Sequence, residues 1–253
     1  MRAFLLVSLL IIVCAANAQE GERLSGTNLD FRTTLFFRVG DTIVQKLLPS
    51  GWELDSPNTG PVAGMNLAVI LVDNLMSHDA DGKPIPTHRG AILLIPAKKA
   101  GTKSGGVMII SGLMSEGNSP GAYGLYALAR VSMETKTTVG LDGNAVVEES
   151  WSISGDNGDT IKAVVHYARG PLSKVDREVI ANGVSKPDAY RIYRYNSASD
   201  TVKSVPLGID RVSKLEFRAS GPHLGSIFDG SHSLLALVST PSYSRRVFVP
   251  TAK

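Results

Sequence analysis

Residues 145–153 read AVVEESWSI, residues 154–159 read SGDNGD, and residues 160–168 read TIKAVVHYA. Two runs rich in β-branched residues flank a six-residue cluster of Gly, Asp, Asn and Ser, which is a dense turn signal. So short a connection cannot carry a parallel crossover, so the two runs predict an antiparallel hairpin. In a strand, side chains two apart share a face. One face of the first run carries Val147, Glu149, Trp151 and Ile153; the other carries Glu148, Ser150 and Ser152. The first face is apolar and yet holds a carboxylate. A buried Glu is costly unless paired or hydrogen-bonded, and desolvation raises its pKa unless a cation sits nearby. The alternative is a Glu at a strand end or beside a bulge, touching solvent.

Outward from this hairpin the chain keeps the same grammar. Gly and Pro punctuate it often, and short runs rich in Val, Ile, Leu, Tyr and Thr lie between them. Strands are predicted at 66–73, 90–95, 106–112, 123–133, 189–195, 201–205, 211–219, 233–240 and 243–249. A second hairpin is predicted where Asn196-Ser197-Ala198-Ser199-Asp200 joins two of them. The segment 122–136 is rich in helix formers and is assigned as a strand or bent strand. Asp41-Thr42 can cap a short helix ended by Pro49 and Gly51, and 222–228 predicts one helical turn. The expectation is a mainly β fold, an antiparallel barrel or cone of about ten or more strands with one or two short helices. Residues 41–253 form its single barrel-like domain, with 19–40 as an N-terminal extension.

The run 189–195 complements Glu149. Tyr190, Ile192 and Arg194 share one face, and Arg191, Tyr193 and Tyr195 share the other. An Arg inside a barrel mouth would grip a carboxylate through its planar fork. An Arg packed on aromatics at the surface would instead cover apolar area with its stem. Glu149 and Trp151 are therefore expected to line a pocket, with Arg191 or Arg194 as counter-charge. A Glu149–Arg pair across the barrel would be structural.

The N-terminus speaks to compartment. Arg2, the apolar run 3–15 (AFLLVSLLIIVCA) and Ala16-Asn17-Ala18 form the pattern of a cleavable signal peptide over residues 1–18, leaving Gln19 first. The apolar run is short for a membrane span, which needs about 20 residues. Cleavage removes Cys14, the only cysteine, so the exported protein is expected to carry no disulfide. Its destination is the periplasm or the medium. No later apolar run reaches membrane length, so no membrane contact is expected after cleavage. Net charge is +3, with lysines and arginines scattered among acids, so the basic stripe of a nucleic-acid binder is missing.

Several motifs match only superficially. Gly117-Asn118-Ser119-Pro120-Gly121 fits G-x-S-x-G, with Asp229 and His232 downstream. The residue after the serine must give an N–H to the oxyanion, and Pro120 has none. Asp79-Ala80-Asp81-Gly82 opens like a calcium loop, but its twelfth position is Gly90 rather than Glu. His78, His88, His166, His223 and His232 show no paired metal spacing. No metal and no cofactor is expected.

The order of segments resembles the acetoacetate decarboxylase-like superfamily. The residues that carry this are Leu47-Leu48-Pro49-Ser50-Gly51-Trp52, the strand Leu67 to Asp73, Arg89-Gly90-Ala91-Ile92-Leu93-Leu94-Ile95-Pro96, and Gly121-Ala122-Tyr123-Gly124-Leu125-Tyr126. The resemblance covers about 42–167 and implies a β-barrel or cone enclosing a small-molecule cavity. It also implies a Schiff-base lysine beside a second lysine, whose charge and dry surroundings keep the amine neutral. Where that pair should fall, the chain reads EESWSISG (148–155). Lys98-Lys99 lie one strand too early, in a run that reads as an exposed loop. The leading expectation is an exported decarboxylase-like barrel that holds a small organic molecule, such as a carboxylate or keto acid, without Schiff-base chemistry. The alternatives are a lyase or hydratase using carboxylate acid–base chemistry, and an interaction domain with a filled interior.

Overall fold

The computed structural model describes residues 21–103 and 105–251. Residues 1–18, expected as a signal peptide and including Cys14, lie outside the described residues, as does Gln19. In chain order the elements are β1 (Glu22–Arg38), α1 (Asp41–Leu47), β2 (Trp52–Leu54), β3 (Leu67–Asp79), β4 (Pro84–Ile85), β5 (Arg89–Lys99), β6 (Gly106–Met114) and β7 (Tyr126–Val139). Then come β8 (Ala145–Gly155), β9 (Thr160–Ala168), β10 (Ser173–Gly183), β11 (Lys186–Ser204), β12 (Ile209–Asp210), β13 (Val212–Ser220), α2 (Leu224–Ile227) and β14 (Ser233–Pro250). The fold is mainly β with two short helices, as the composition of the runs predicts.

The strands form one 14-stranded sheet. Its hydrogen bonds run in a ring, from β1 through β3, β5, β6, β10, β11 and β14 back to β1. From β6 the sheet also continues into a wing, β7–β8–β9–β13. The expected all-antiparallel barrel is corrected on one point. β6 runs parallel to both β7 and β10, so the sheet is mixed and not a true barrel. The connection 115–125 is long enough to carry the chain back along β6, which a tight hairpin cannot do.

The wing folds over the outside of the ring. Val147, Trp151, Ile153, Ile161, Val165 and Tyr167 from the wing share one buried cluster with Leu35, Phe37, Val69, Leu71 and Leu93 from the ring. Phe37 stands among Phe217, Phe228 and His232, with ring centroids 4.9, 5.4 and 5.7 Å away. A second, smaller cluster lies on the ring's inner side, built from Ala68, Leu94, Ile109, Tyr123, Tyr126 and Ala181. Period two along β1, β3 and β5 therefore feeds two apolar layers at once.

Several features differ from the sequence reading, which also placed no strand at β10. Residues 19–40, expected as an extension, contribute β1, which pairs with β14 on one side and β3 on the other. Its alternation is hidden because the inner face carries Asn28, Asp30 and Arg32 in place of aliphatics. The hairpin expected at 196–200 does not turn; β11 runs through it, and its hairpin partner is β10. The turn-like side chains there are used for bonding: Asp200 accepts hydrogen bonds from the Gly170 N–H at 2.7 Å and from Arg211. Likewise 233–249 is one bulged strand, β14. Finally, α1 is capped by the Gly40 carbonyl rather than by an Asp41 side chain. Asp41 instead accepts from Arg38 at 2.6 Å and Asn66 at 3.0 Å.

Candidate functional site

The ring encloses a cavity of about 430 Å³. Its wall is aliphatic along β3, β5 and β6, where Ile70, Ile92, Leu94 and Ile109 point inward. The opposite wall is aromatic and cationic, with Tyr123, Tyr126, Tyr193, Tyr195 and Tyr243 beside Arg32, Arg191 and Arg245. The sequence builds this wall by alternation: Arg191, Tyr193 and Tyr195 are every second residue of β11, as are Tyr243 and Arg245 in β14. Tyr126 reaches its place because Gly112 and Gly121 leave room. A Cβ on either would stand 2.4 or 2.2 Å from the Tyr126 ring, and Gly121 also holds φ +72.

A buried network fixes two of the three guanidinium groups. Arg32 donates to Asp30 Oδ2 from Nε at 3.0 Å and Nη2 at 2.5 Å. Asp30 Oδ1 accepts from Asn28 and Asn74, each at 2.7 Å. Arg245 donates to Asn28 Oδ1 at 2.6 Å. Each guanidinium also lies over a phenol, Arg32 over Tyr243 at 3.6 Å and Arg245 over Tyr193 at 4.6 Å, a favourable cation–π placement. Burial alone would push the Asp30 carboxyl up, but Arg32, Arg245 and the two amides hold it below its ordinary value. Burial pushes His88 down, so its imidazole is neutral at physiological pH. Burial also raises the phenols of Tyr123 and Tyr126. The Tyr123 and Tyr193 hydroxyls share a bond of 2.8 Å, and Tyr123 donates to the Ala181 carbonyl at 3.2 Å.

Arg191 stands apart. It lines the cavity and forms no ion pair among the described residues. Arg194 faces the other way, on the outside of the ring. It donates to Glu22 at 2.8 Å and Glu178 at 2.7 Å and lies 4.5 Å from the centre of the Phe248 ring.

Glu149 and Trp151 are not in the ring cavity. They line a second cavity of about 500 Å³ between wing and ring, on the opposite face of β1. Glu149 is 7% exposed. Its Oε2 accepts from Thr33 Oγ1 at 2.7 Å and its Oε1 accepts from the Trp151 indole N–H. Burial raises its pKa, and these two neutral donors lower it only in part. The expected grouping of Glu149, Trp151, Arg191 and Arg194 thus divides among three places. Glu149 bonds to neutral donors rather than across the ring to an arginine.

The other motifs resolve locally. Ser119 Oγ donates to the Tyr126 carbonyl at 2.9 Å, which braces the turn that seats Tyr126. Asp79 Oδ1 accepts from the N–H groups of Asp81 and Lys83, an ordinary loop closure. Among the described residues no cluster of three His, Cys, Asp or Glu could hold a metal ion. Lys98 is paired with Asp55 at 3.3 Å and Glu53 at 3.6 Å, and the bond to Asp55 raises its pKa. That is opposite to what an amine nucleophile needs. Asp30, Arg32, Arg245 and His88 escaped the sequence reading. The available signal was Asn28, Asp30 and Arg32 at alternate positions in a run otherwise fit to be a strand.

No protein-family model and no curated protein sequence matches the chain. Solved structures do. An acetoacetate decarboxylase-like enzyme from Sphingomonas wittichii RW1 superposes with a TM-score of 0.57 at 15% identity, over 90% of this chain and 92% of that one. The enduracididine biosynthesis enzyme MppR, complexed with pyruvate, superposes with a TM-score of 0.54 at 12% identity, over 94% of this chain and 92% of that one. MppR complexed with the condensation product of pyruvate and imidazole 4-carboxaldehyde gives 0.54 at 11% identity, over 89% and 87%. At such identities the likeness is one of architecture, and by it this chain has the acetoacetate decarboxylase-like fold.

Proposed function

We propose that this protein is exported after loss of residues 1–18 and binds a small carboxylate or keto acid in the ring cavity, without forming a Schiff base. One observation carries the ligand class: Arg191 faces an enclosed, largely apolar space with no counter-charge, beside Arg32 and Arg245. Among the described residues the cavity wall holds no carboxylate and no lysine. A half-buried guanidinium with no carboxylate beside it favours an anionic ligand, and it can grip a carboxylate with two parallel bonds. The pyruvate in MppR supports the same class of ligand. The ion pairing of Lys98 and of Lys99, at the end of β5 and outside the ring cavity, supports a non-covalent mode. With Glu149 outside the ring, the reading as a lyase using carboxylate acid–base chemistry loses the group it needs.

Isothermal titration with pyruvate tests this. The wild type is expected to bind, and Arg191→Met to bind about tenfold or more weakly, a loss of about 1.4 kcal/mol. Equal affinity in the two proteins overturns the proposal. Borohydride added with pyruvate is expected to leave the intact mass unchanged; a covalent adduct rejects the non-covalent mode. N-terminal sequencing of the protein recovered outside the cytoplasm is expected to begin at Gln19.

A further inference from the structure

The cavity between wing and ring is built for a different ligand. Glu149 lies on its wall, nine-tenths buried. Its two bonds come from a hydroxyl and an indole N–H, and each carboxylate oxygen keeps a further lone pair. No cation answers it among the described residues. Arg169 lines the same cavity and has no carboxylate partner among them. The remaining charges on the wall are neutralised: Arg32 by Asp30 at 2.5 Å, and Asp73 by Arg89 at 2.7 Å. One cavity thus holds an anion with no cation beside it and a cation that bonds to the neutral Tyr167 phenol but to no carboxylate.

Their spacing follows from register. Glu149 lies opposite Val165, and Arg169 is four positions further along the chain on the same side. At about 3.3 Å per residue the two backbones are about 13 Å apart, with Tyr167 between them. Two extended side chains of opposite charge leave a gap of several bonds. The wall there is apolar, with Met133, Val147 and Trp151.

We propose that this second cavity binds a zwitterion of the ω-amino acid type, its ammonium on Glu149 and its carboxylate on Arg169, with a short apolar chain between. This site is independent of the ring cavity and does not rest on what binds there. Binding is pH-dependent because the ammonium needs Glu149 ionised. The groups facing Glu149 are Arg32 and Thr33 from β1, Asp73 from β3, Thr135 from β7, Tyr167 and Arg169 from the β9 side and Ser239 from β14. Arg32 and Asp73 are paired, and burial holds Tyr167 in its neutral form. Glu149 is therefore the group on this wall whose ionisation the ammonium needs, and affinity rises with pH.

The probes are 5-aminopentanoate, with pentylamine and pentanoate as single-charge controls, titrated calorimetrically. In the wild type 5-aminopentanoate is expected to bind about tenfold or more tightly than either control and to tighten from about pH 5 to about pH 8. Glu149→Gln is expected to abolish the preference over pentanoate, and Arg169→Met the preference over pentylamine. No binding up to about 10 mM, or wild-type binding by Glu149→Gln, overturns the proposal. So does loss of binding in Arg191→Met, which would place the molecule in the ring. If Glu149→Gln does not fold, the half-buried position 169 decides: an unchanged preference over pentylamine in Arg169→Met rejects the site.

Discussion

The two faces of β1 look into two cavities that share a wall and almost nothing else. The inner face presents Asn28, Asp30 and Arg32 to the ring; the outer face presents Phe31, Thr33, Leu35 and Phe37 to the wing. Inside, the charge is an excess of guanidinium, two groups tied into a network and one free to meet a ligand. Outside, the one carboxylate without an ion pair, Glu149, is held by neutral donors, and Arg169 has no carboxylate partner among the described residues. Arg32 and Thr240 line both spaces, so the partition is one strand thick. One periodicity thus gives one backbone two opposite electrostatic environments, because successive side chains cannot see each other through the sheet.

The inner face is the easier one to break. Asp30→Ala removes the carboxylate paired with Arg32 and the acceptor that holds Asn28, the residue to which Arg245 bonds, at 1% exposure for the lost carboxylate. Removing one member of a buried pair costs about 3–5 kcal/mol, which urea unfolding would read as a lower midpoint at constant slope. A cost under about 1 kcal/mol is what a solvated pair gives, and it would mean that the ring wall is wet and its charges are not focused on a ligand.

The outer face is sharpened by Trp151→Phe. Most of the apolar area stays, and the indole N–H to Glu149 goes. Leaving a buried polar atom without its hydrogen-bond partner costs about 1–3 kcal/mol, so a loss in that range is expected from the same unfolding experiment. Combined with Glu149→Gln the two losses are expected to be less than additive, since both break one contact. Full additivity would show that Trp151 stabilises the wing by packing alone.

Much of this was legible in the chain. The hairpin of β8 and β9 stands where the turn cluster and the alternation put it, and Thr160–Ala168 is a strand over those residues. The burial of Glu149 was legible too, since Val147, Trp151 and Ile153 flank it on one face. Which cavity it faces was not. Its partner Thr33 is 116 residues away, and no local pattern encodes which layer a wing covers. β1 was missed for the reason that makes it interesting: inward-facing polar residues replace the aliphatics that announce a strand. The run 196–200 misled in the opposite sense. Ser and Asp favour turns because they bond to nearby backbone, yet here Ser197 and Ser199 line the cavity and Asp200 bonds to a neighbouring loop. Arg191 and Arg194 differ only in parity, and parity acquires meaning once β10 and β14 fix which side is in.

The smallest effect, and the one that separates the two faces most cleanly, is in pH. Burial raises the Glu149 carboxyl above its ordinary value, so the folded state prefers the protonated form. The stability this contributes is fully present below the unfolded value and is lost as pH rises through the folded one. Asp30 has the opposite sign: its pKa is lowered, and its contribution is lost only as pH falls through that lowered value. Above about pH 5 the wild type should therefore lose stability relative to Glu149→Gln as pH rises, by no more than about 1.4 kcal/mol per pH unit for one proton. For a chain of this size each kcal/mol lost lowers Tm by about 2–4 °C. Contributions from His88 and Asp30 are common to both proteins and cancel in the difference. If the two melting curves run parallel over this range, the carboxyl at the wing is already ionised when folded, and the asymmetry between the two faces of β1 reduces to shape.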